Sequence, residues 1–516
     1  MFFSDGKDGR GVRPIRGVPR RELQTIVEGV IIVLIVSGCA VGPDYRSPAQ
    51  PRGTSYTAAT LPERTVASSV KGGASQRFIP GNHIPGQWWS LFHSEPLDHM
   101  IQQALSDSPS LALAKARIIE ARENRRAQFG NLIPSVDANL SASRQKISGA
   151  SFGQPGTDIS PFTLLNATVD VSYSLDVFGA TRRQLEALAS QIEYQQFQLE
   201  GIYLALTANI VTTAIQEASL RSQIQATRQI ISVLAQQLEL IESRFQLGAV
   251  PLSDVLAQRT QLAQTRATLP VLERDLQQTR HQLAVLIGKP PSEAVLPEFT
   301  FEQMSLPEEL PLSLPSSLVR QRPDIRASEA LLHAASAGIG VATARLYPQI
   351  TLTGQIGSSA TTLNGLFESG STIWNLGAGL LQPIFRGGTL TAQRRAAIAQ
   401  YDQAMAQYRD TVLQSFRNVA DVLRALESDA QTLKDQAETE SVAAESLDLT
   451  QRQFALGAVS YLSLLNAQRQ HQEARIARVK VQATRYADTA ALFQALGGGW
   501  WNRNQPEASL GAPFRE

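Results

Sequence analysis

Two stretches of this chain, Gly179 to Gly248 and Gly388 to Gly457, contain no proline, and Gly201 is the only glycine between their bounding glycines. A helix of that size extends roughly 100 Å, far beyond the ordinary helix, so packing against neighbours must stabilise it. Val412, Phe416, Val419, Leu423 and Leu426 keep the three-or-four spacing that such packing requires. Both stretches close on one pattern. Phe245-Gln246-Leu247-Gly248-Ala249-Val250, followed by Leu256-Ala257-Gln258-Arg259, recurs 209 residues later as Phe454-Ala455-Leu456-Gly457-Ala458-Val459, followed by Leu465-Asn466-Ala467-Gln468-Arg469. Pro134 recurs as Pro348, and Phe178-Gly179 recurs near Phe385-Arg386-Gly387, in the same order. The chain is therefore an internal duplication, with a returning helix after each Gly-Ala-Val turn. These run from about Leu252 to Leu286, with Pro270 as an expected interruption, and from about Leu462 to Leu496.

Each copy also contains a pair of strands. Leu165, Ala167, Val169, Val171, Tyr173, Leu175 and Val177 alternate with Asn166, Thr168, Asp170, Ser172, Ser174 and Asp176, which predicts a strand with one apolar and one polar face. A weaker strand covers Val136 to about Ser143, and the second copy offers Ile350–Ile356 and Trp374–Leu381. No stretch after residue 39 approaches the roughly 20 apolar residues of a spanning helix. A membrane placement would thus require a closed β-barrel, and four strands per chain cannot close one. Three chains sharing a barrel would supply twelve strands, an even number within the usual range. The alternation suits a half-buried soluble sheet equally well.

The first forty residues bear on that choice. Arg10, Arg13, Arg16, Arg20 and Arg21 precede an apolar run from Gly29 to Val36, which stops at Ser37-Gly38-Cys39. Basic, apolar and small-residue regions in this order read as a secretory signal. Val36-Ser37-Gly38-Cys39 looks like a lipobox, in which Cys39 becomes an N-terminus carrying diacylglycerol and an N-acyl chain. Cys39 is the single cysteine, so no internal disulfide is expected. The formal charge of +1 gives no reason to expect nucleic acid as a partner. The six histidines show no metal-binding spacing, and nucleotide-binding and nucleophile-elbow motifs are absent, so no enzymatic activity, catalytic residue, metal or further cofactor is expected.

The run Cys39-Ala40-Val41-Gly42-Pro43-Asp44-Tyr45, then Trp88-Trp89 and Phe92, then Pro315 to Leu318, Arg322-Pro323-Asp324-Ile325-Arg326 with Glu329, and Tyr347-Pro348-Gln349-Ile350-Thr351-Leu352 resembles the outer-membrane factors of resistance-nodulation-division (RND) efflux systems, in their NodT-like lipoprotein branch. The resemblance implies an α+β membrane protein: a trimeric twelve-stranded outer-membrane β-barrel continued by a long periplasmic α-helical barrel. The function it implies is that of a passive exit duct in the outer membrane for drugs or other small molecules. A periplasmic adaptor and an inner-membrane transporter of the RND class would be the partners. On this view residues 1–38 are a signal peptide and 39–95 a lipid-anchored extended segment. Residues 96–314 form the first repeat, with strands at about 134–147 and 163–177 and helices at about 181–247 and 251–287. Residues 315–499 form the second, with strands at about 349–360 and 372–383 and helices at about 388–456 and 460–496, and 500–516 is a polar tail. The proline-rich stretch from Gly288 to Leu314 would belong to a girdle of mixed structure.

The resemblance also assigns candidate sites. Gly248, Ala249, Val250, Gly457, Ala458 and Val459 would be adaptor-docking turns. Ser253, Asp254, Ser463 and Asn466 would line a periplasmic gate, with Phe454 and Tyr461 supplying steric closure. Asn466 departs from the aspartate that many relatives carry there, so an acidic gate would rest on Asp254. Asp254 reads equally as an acidic residue in the first turn of a helix. Arg322, Asp324, Arg326 and Glu329, with Pro323 among them, form a structural motif whose charged members read as ion pairs that fix the start of a helix. Two alternatives stay open: a duct serving a heavy-metal, ABC or major-facilitator exporter, and a secreted coiled-coil structural lipoprotein without transport.

Overall fold

The computed structural model describes residues 40–503, apart from 50–52, 54, 149, 151–152, 154–155, 157 and 159. Cys39, the expected signal segment and residues 504–516 lie outside the described residues. In chain order the elements are β1 (Arg77–Pro80), α1 (Glu95–Asp107), α2 (Pro109–Phe129), β2 (Ser135–Gln145), β3 (Phe162–Leu175), α3 (Ala180–Gln246), α4 (Leu252–Leu286), β4 (Glu309–Leu312), α5 (Pro315–Gln321), α6 (Pro323–Ala344), β5 (Gln349–Ala360), β6 (Thr372–Leu381), α7 (Thr389–Ala455) and α8 (Tyr461–Ala495). Short 3-10 turns lie among them.

The chain divides into two units, and each takes a share of both sequence copies. The first contains described residues 40–45, 124–188 and 335–401. At its centre is an antiparallel sheet in the order β2-β3-β5-β6. The register places Val136 opposite Val171, Val171 opposite Gly354, and Gly354 opposite Leu376. One period-two set is therefore apolar across all four strands: Leu140, Val169, Val171, Leu352, Ile356, Trp374, Leu376 and Leu380 share a face. All are exposed in the single chain, Leu140 at 81% and Leu376 at 79%. The opposite face carries Asp137, Asn139, Asp170, Thr353 and Gln355, where Gln355 Nε2 donates to Asp170 Oδ1 at 2.7 Å.

The second unit contains residues 46–123, 189–334 and 402 onward. Its core gathers Trp88, Phe92, Leu97 and Ile101 with Ile210 and Ile215 of α3, Leu283 of α4, Phe299, Leu310, Leu423 of α7 and Phe493 of α8. Trp88 stacks on Phe493 with ring centroids 5.4 Å apart. The stretch 288–314 contributes a 3-10 turn and β4, and β4 pairs in parallel with β1. This pairing and helices α1 and α2 were not anticipated from sequence. Pro270 does not interrupt its helix, since α4 runs unbroken through it. Pro270 is exposed. The missing backbone bond and the ring clash, about 3 kcal/mol, are offset by the buried residues on either side, Val255 and Leu262 before it and Leu283 and Ala284 after.

Candidate functional site

The two turns that end α3 and α7 are built alike. Gly248 N–H donates to Phe245 O at 2.9 Å and Ala249 N–H to Arg244 O at 2.9 Å; Gly457 N–H donates to Phe454 O at 3.0 Å and Ala458 N–H to Gln453 O at 2.8 Å. Both are Schellman closures, which satisfy helix-end carbonyls and require a left-handed residue. Gly248 and Gly457 supply it with φ of +72° and +73°. Open space lies where a Cβ would be at either glycine, so backbone conformation alone accounts for them. The preceding leucines project outward, Leu247 at 83% and Leu456 at 85% exposure, and Ala249 and Ala458 are exposed beside them.

The chain then restarts differently in each copy. Pro251 precedes α4 without a side-chain cap and Asp254 stands in its first turn, where a carboxylate suits the positive end of the helix dipole. Before α8, Ser460 Oγ accepts from Ser463 N–H at 3.2 Å. Val255, Tyr461, Leu464, Leu465 and Ile241 bury one another, with Phe245, Val250, Leu447 and Phe454 packed around them. The two hairpins of one chain are thereby held together.

Tyr461 is 5% exposed in the single chain and lies within this cluster. Its hydroxyl donates to Gln258 Oε1 at 2.7 Å, while Gln258 Nε2 donates to Leu234 O at 2.7 Å. Burial, and secondarily the Asp254 carboxylate, push the hydroxyl's pKa above the ordinary tyrosine range. Phe454 is half-buried, with its ring centroid 5.4 Å from that of Tyr461 and the Arg244 guanidinium 5.3 Å from its centre. Ser253, Ser463 and Asn466 are exposed, and Asp254 is half-buried. The structure thus gathers Asp254, Phe454 and Tyr461 and leaves the three small polar residues at the surface.

The sequence reading missed Gln258 and Gln468. Both are buried, and both reach α3, Gln468 Nε2 donating to Gln237 Oε1 at 2.7 Å. The signal was available, because each is the glutamine of a repeated Ala-Gln-Arg, at 257–259 and 467–469. The block around Arg322 sits elsewhere and fixes architecture. Arg322 makes a bidentate pair with Asp324 at 3.0 and 2.6 Å and donates to Ala495 O at 2.7 Å, so it ties α6 to the end of α8. Pro323 opens α6, and Arg326 Nη1 meets Glu329 Oε2 at 2.6 Å. Glu329 also accepts from Ser47 Oγ. Among the described residues no group of three or more His, Cys, Asp or Glu side chains could hold a metal.

The family model described as outer membrane efflux protein matches residues 100–289 and 314–498, two blocks that follow the internal duplication. The chain belongs to the outer membrane efflux protein family. It is 31% identical over 422 residues to the pyoverdine export outer membrane protein OpmQ of Pseudomonas aeruginosa, covering 81% of this chain and 88% of that protein. The solved outer-membrane channel OprN superposes with a TM-score of 0.80 at 28% identity, covering 90% of this chain and 100% of that one. The open-state MtrE outer membrane channel of Neisseria gonorrhoeae superposes with a TM-score of 0.75 at 26% identity, covering 90% and 100%.

The fold is accordingly that of the trimeric efflux channels, a twelve-stranded outer-membrane β-barrel with a periplasmic α-helical barrel, and the chain is the outer-membrane channel component of an RND-type tripartite pump that exports small molecules. This explains the sheet's exposed apolar face, which as a barrel wall meets lipid while Asp137, Asn139 and Asp170 meet water. No described helix is long and apolar enough to cross a membrane. Among the described residues β2 and β6 each pair on one side only, which leaves their outer edges for neighbouring copies.

Proposed function

We propose that this member of the family is a passive duct whose helix turns receive a periplasmic adaptor and whose closure depends on the hairpin cluster around Tyr461. The observation that carries this reading is the identity of the two turns. Each presents an exposed leucine, a glycine without side chain and a small alanine, so a partner's backbone can approach closely at Gly248-Ala249-Val250 and at Gly457-Ala458-Val459. Opening would require the two hairpins to part, and the Tyr461–Gln258 bond and the packing of Phe454 oppose that. The Asp254 carboxylate acts on the Tyr461 hydroxyl from beside this cluster, and Ser253, Ser463 and Asn466 are exposed. The pump partner is an RND transporter reached through the adaptor. Photocrosslinkers placed at Ala249 and Ala458 should capture the adaptor in cells, and capture from neither position, with the channel assembled, would contradict the docking assignment.

The finer assignment to the lipoprotein branch rests on Cys39. The segment that follows Cys39 is built into the sheet-bearing unit. Val41 N–H donates to Phe178 O at 3.1 Å, and the buried Arg183 holds Val41 O at 3.3 Å and Asp44 at 2.8 Å. Gly42 crosses Gly340 so closely that a Cβ on Gly42 would lie 2.4 Å from the Gly340 Cα. A diacylglycerol and an N-acyl chain on Cys39 would be joined to the residue before Ala40, and Ala40 belongs to the same unit as the sheet. Fatty-acid labelling should mark the wild type and not Cys39→Ser; equal labelling of both would remove the lipoprotein reading.

A further inference from the structure

Each free edge of the sheet is flanked by apolar side chains that stand exposed in the single chain. Just beyond β6, Ile384 is 95% exposed and Phe385 87%. Just before β2, Ile133 is exposed, and so is Phe129 at the end of α2. The strand order β2-β3-β5-β6 puts these two patches at opposite edges, so within one chain they do not meet.

The duplication shows how such residues pair. Inside the chain β3 lies against β5, and the residues just outside that pair touch. Phe178, after β3, stacks on Tyr347, before β5, with ring centroids 4.7 Å apart and planes at 22°. Phe178 directly precedes Gly179 and α3, and Tyr347 directly precedes Pro348 and β5. The counterparts in the other copy of each motif are Phe385, which precedes Gly387, Gly388 and α7, and Ile133, which precedes Pro134 and β2. Gly179 and Gly388 have φ of +78° and +81°, so both long helices start after a left-handed glycine.

A cyclic trimer joins unlike patches, one from each of two neighbouring copies. We propose that Ile384 and Phe385 of one copy seat on Ile133 of the partner subunit and Phe129 of the partner subunit. The contact repeats between copies what Phe178 and Tyr347 do within one, and it clasps each seam of the shared barrel at the rim from which the long helices leave. The occupant is a second copy rather than lipid. Closing the barrel brings β6 of one copy beside β2 of the next, and the patches flanking those strands come with them. At the matching place inside the chain, the cover is likewise protein.

Cysteine crosslinking of the intact detergent-solubilised protein tests the clasp. Ile133→Cys combined with Phe385→Cys should, on mild oxidation, give reducible covalent dimers and trimers on a denaturing gel, far exceeding either single variant. Leu363→Cys combined with Phe385→Cys should give no such excess, because Leu363 is also exposed but lies in the loop beyond the other end of β6. If the paired cysteines disturb assembly, heat dissociation of the native trimer decides. Phe385→Ala should lower the dissociation temperature by several degrees, and Leu363→Ala should leave it unchanged. Assembled trimers in which the Ile133 and Phe385 pair gives no more product than either single variant would overturn the clasp. So would equal crosslinking in the Leu363 pair, or Phe385→Ala trimers as heat-resistant as the wild type.

Discussion

Tyr461 and Gln258 carry the most weight per atom at the helix turns. Tyr461→Phe keeps the ring and leaves the buried Gln258 Oε1 without its donor, which should cost about 1–3 kcal/mol. Tyr461→Ala also removes the packing against Phe454 and Leu464 and should cost about 3–5 kcal/mol, as for other large aromatic truncations. Thermal unfolding of the solubilised trimer should rank wild type above Tyr461→Phe above Tyr461→Ala; an unchanged midpoint in Tyr461→Phe would show that the bond contributes nothing. At Gly457 the difficulty is conformational. Gly457→Ala must hold φ near +73° and should lose about 1–2 kcal/mol although nothing obstructs its methyl group. At this scale the sequence was half legible. The glycines announced their turns, because their pattern recurs. The burial of Tyr461 did not show, since local spacing cannot tell which face of α8 a distant helix will cover, and Gln258 reads as a surface residue until α3 lies over it.

The strands teach a different lesson. Period two alone told which residues of β3 share a face, and the register extends that face through β5 and β6 without a break. What the alternation could not tell was whether the apolar face met lipid or another protein layer. Leu376→Arg, on the apolar face, should cost about 2–4 kcal/mol near the bilayer midplane, whereas Asn375→Arg points to the other face and should be tolerated. The yield of heat-modifiable trimer on a gel should drop for Leu376→Arg alone, and equal loss in both would argue against a barrel wall. Pro270 and the β1–β4 pair show where local reasoning fails among these elements. A proline within a helical pattern ordinarily signals a break, but the packed residues flanking it hold α4 continuous. Strands of four residues more than two hundred positions apart leave no periodic trace, and only the closed core brings them together.

For the whole molecule, the internal duplication makes one chain a third of a duct: its sheet has two free edges and its helices come in two hairpin pairs. The duplication, the long helices and the need to share a barrel were all readable, because each follows from length, spacing and unpaired backbone. The division into two units that cut across the repeats was not, since it depends on which parts of α3 and α7 pack with which strands. Closure of the duct is the property that joins these levels, because the hairpin cluster in each chain must act on a pore the three chains share. Single-channel recording in planar bilayers measures it directly. Wild type should show small conductance and Tyr461→Ala and Phe454→Ala larger conductance, with Asp254→Ala differing from them in its response to salt, since it alone removes a charge that salt can screen. A wild type already at the fully open level, or variants that assemble as trimers and conduct no more than the wild type, would contradict closure at the hairpin cluster.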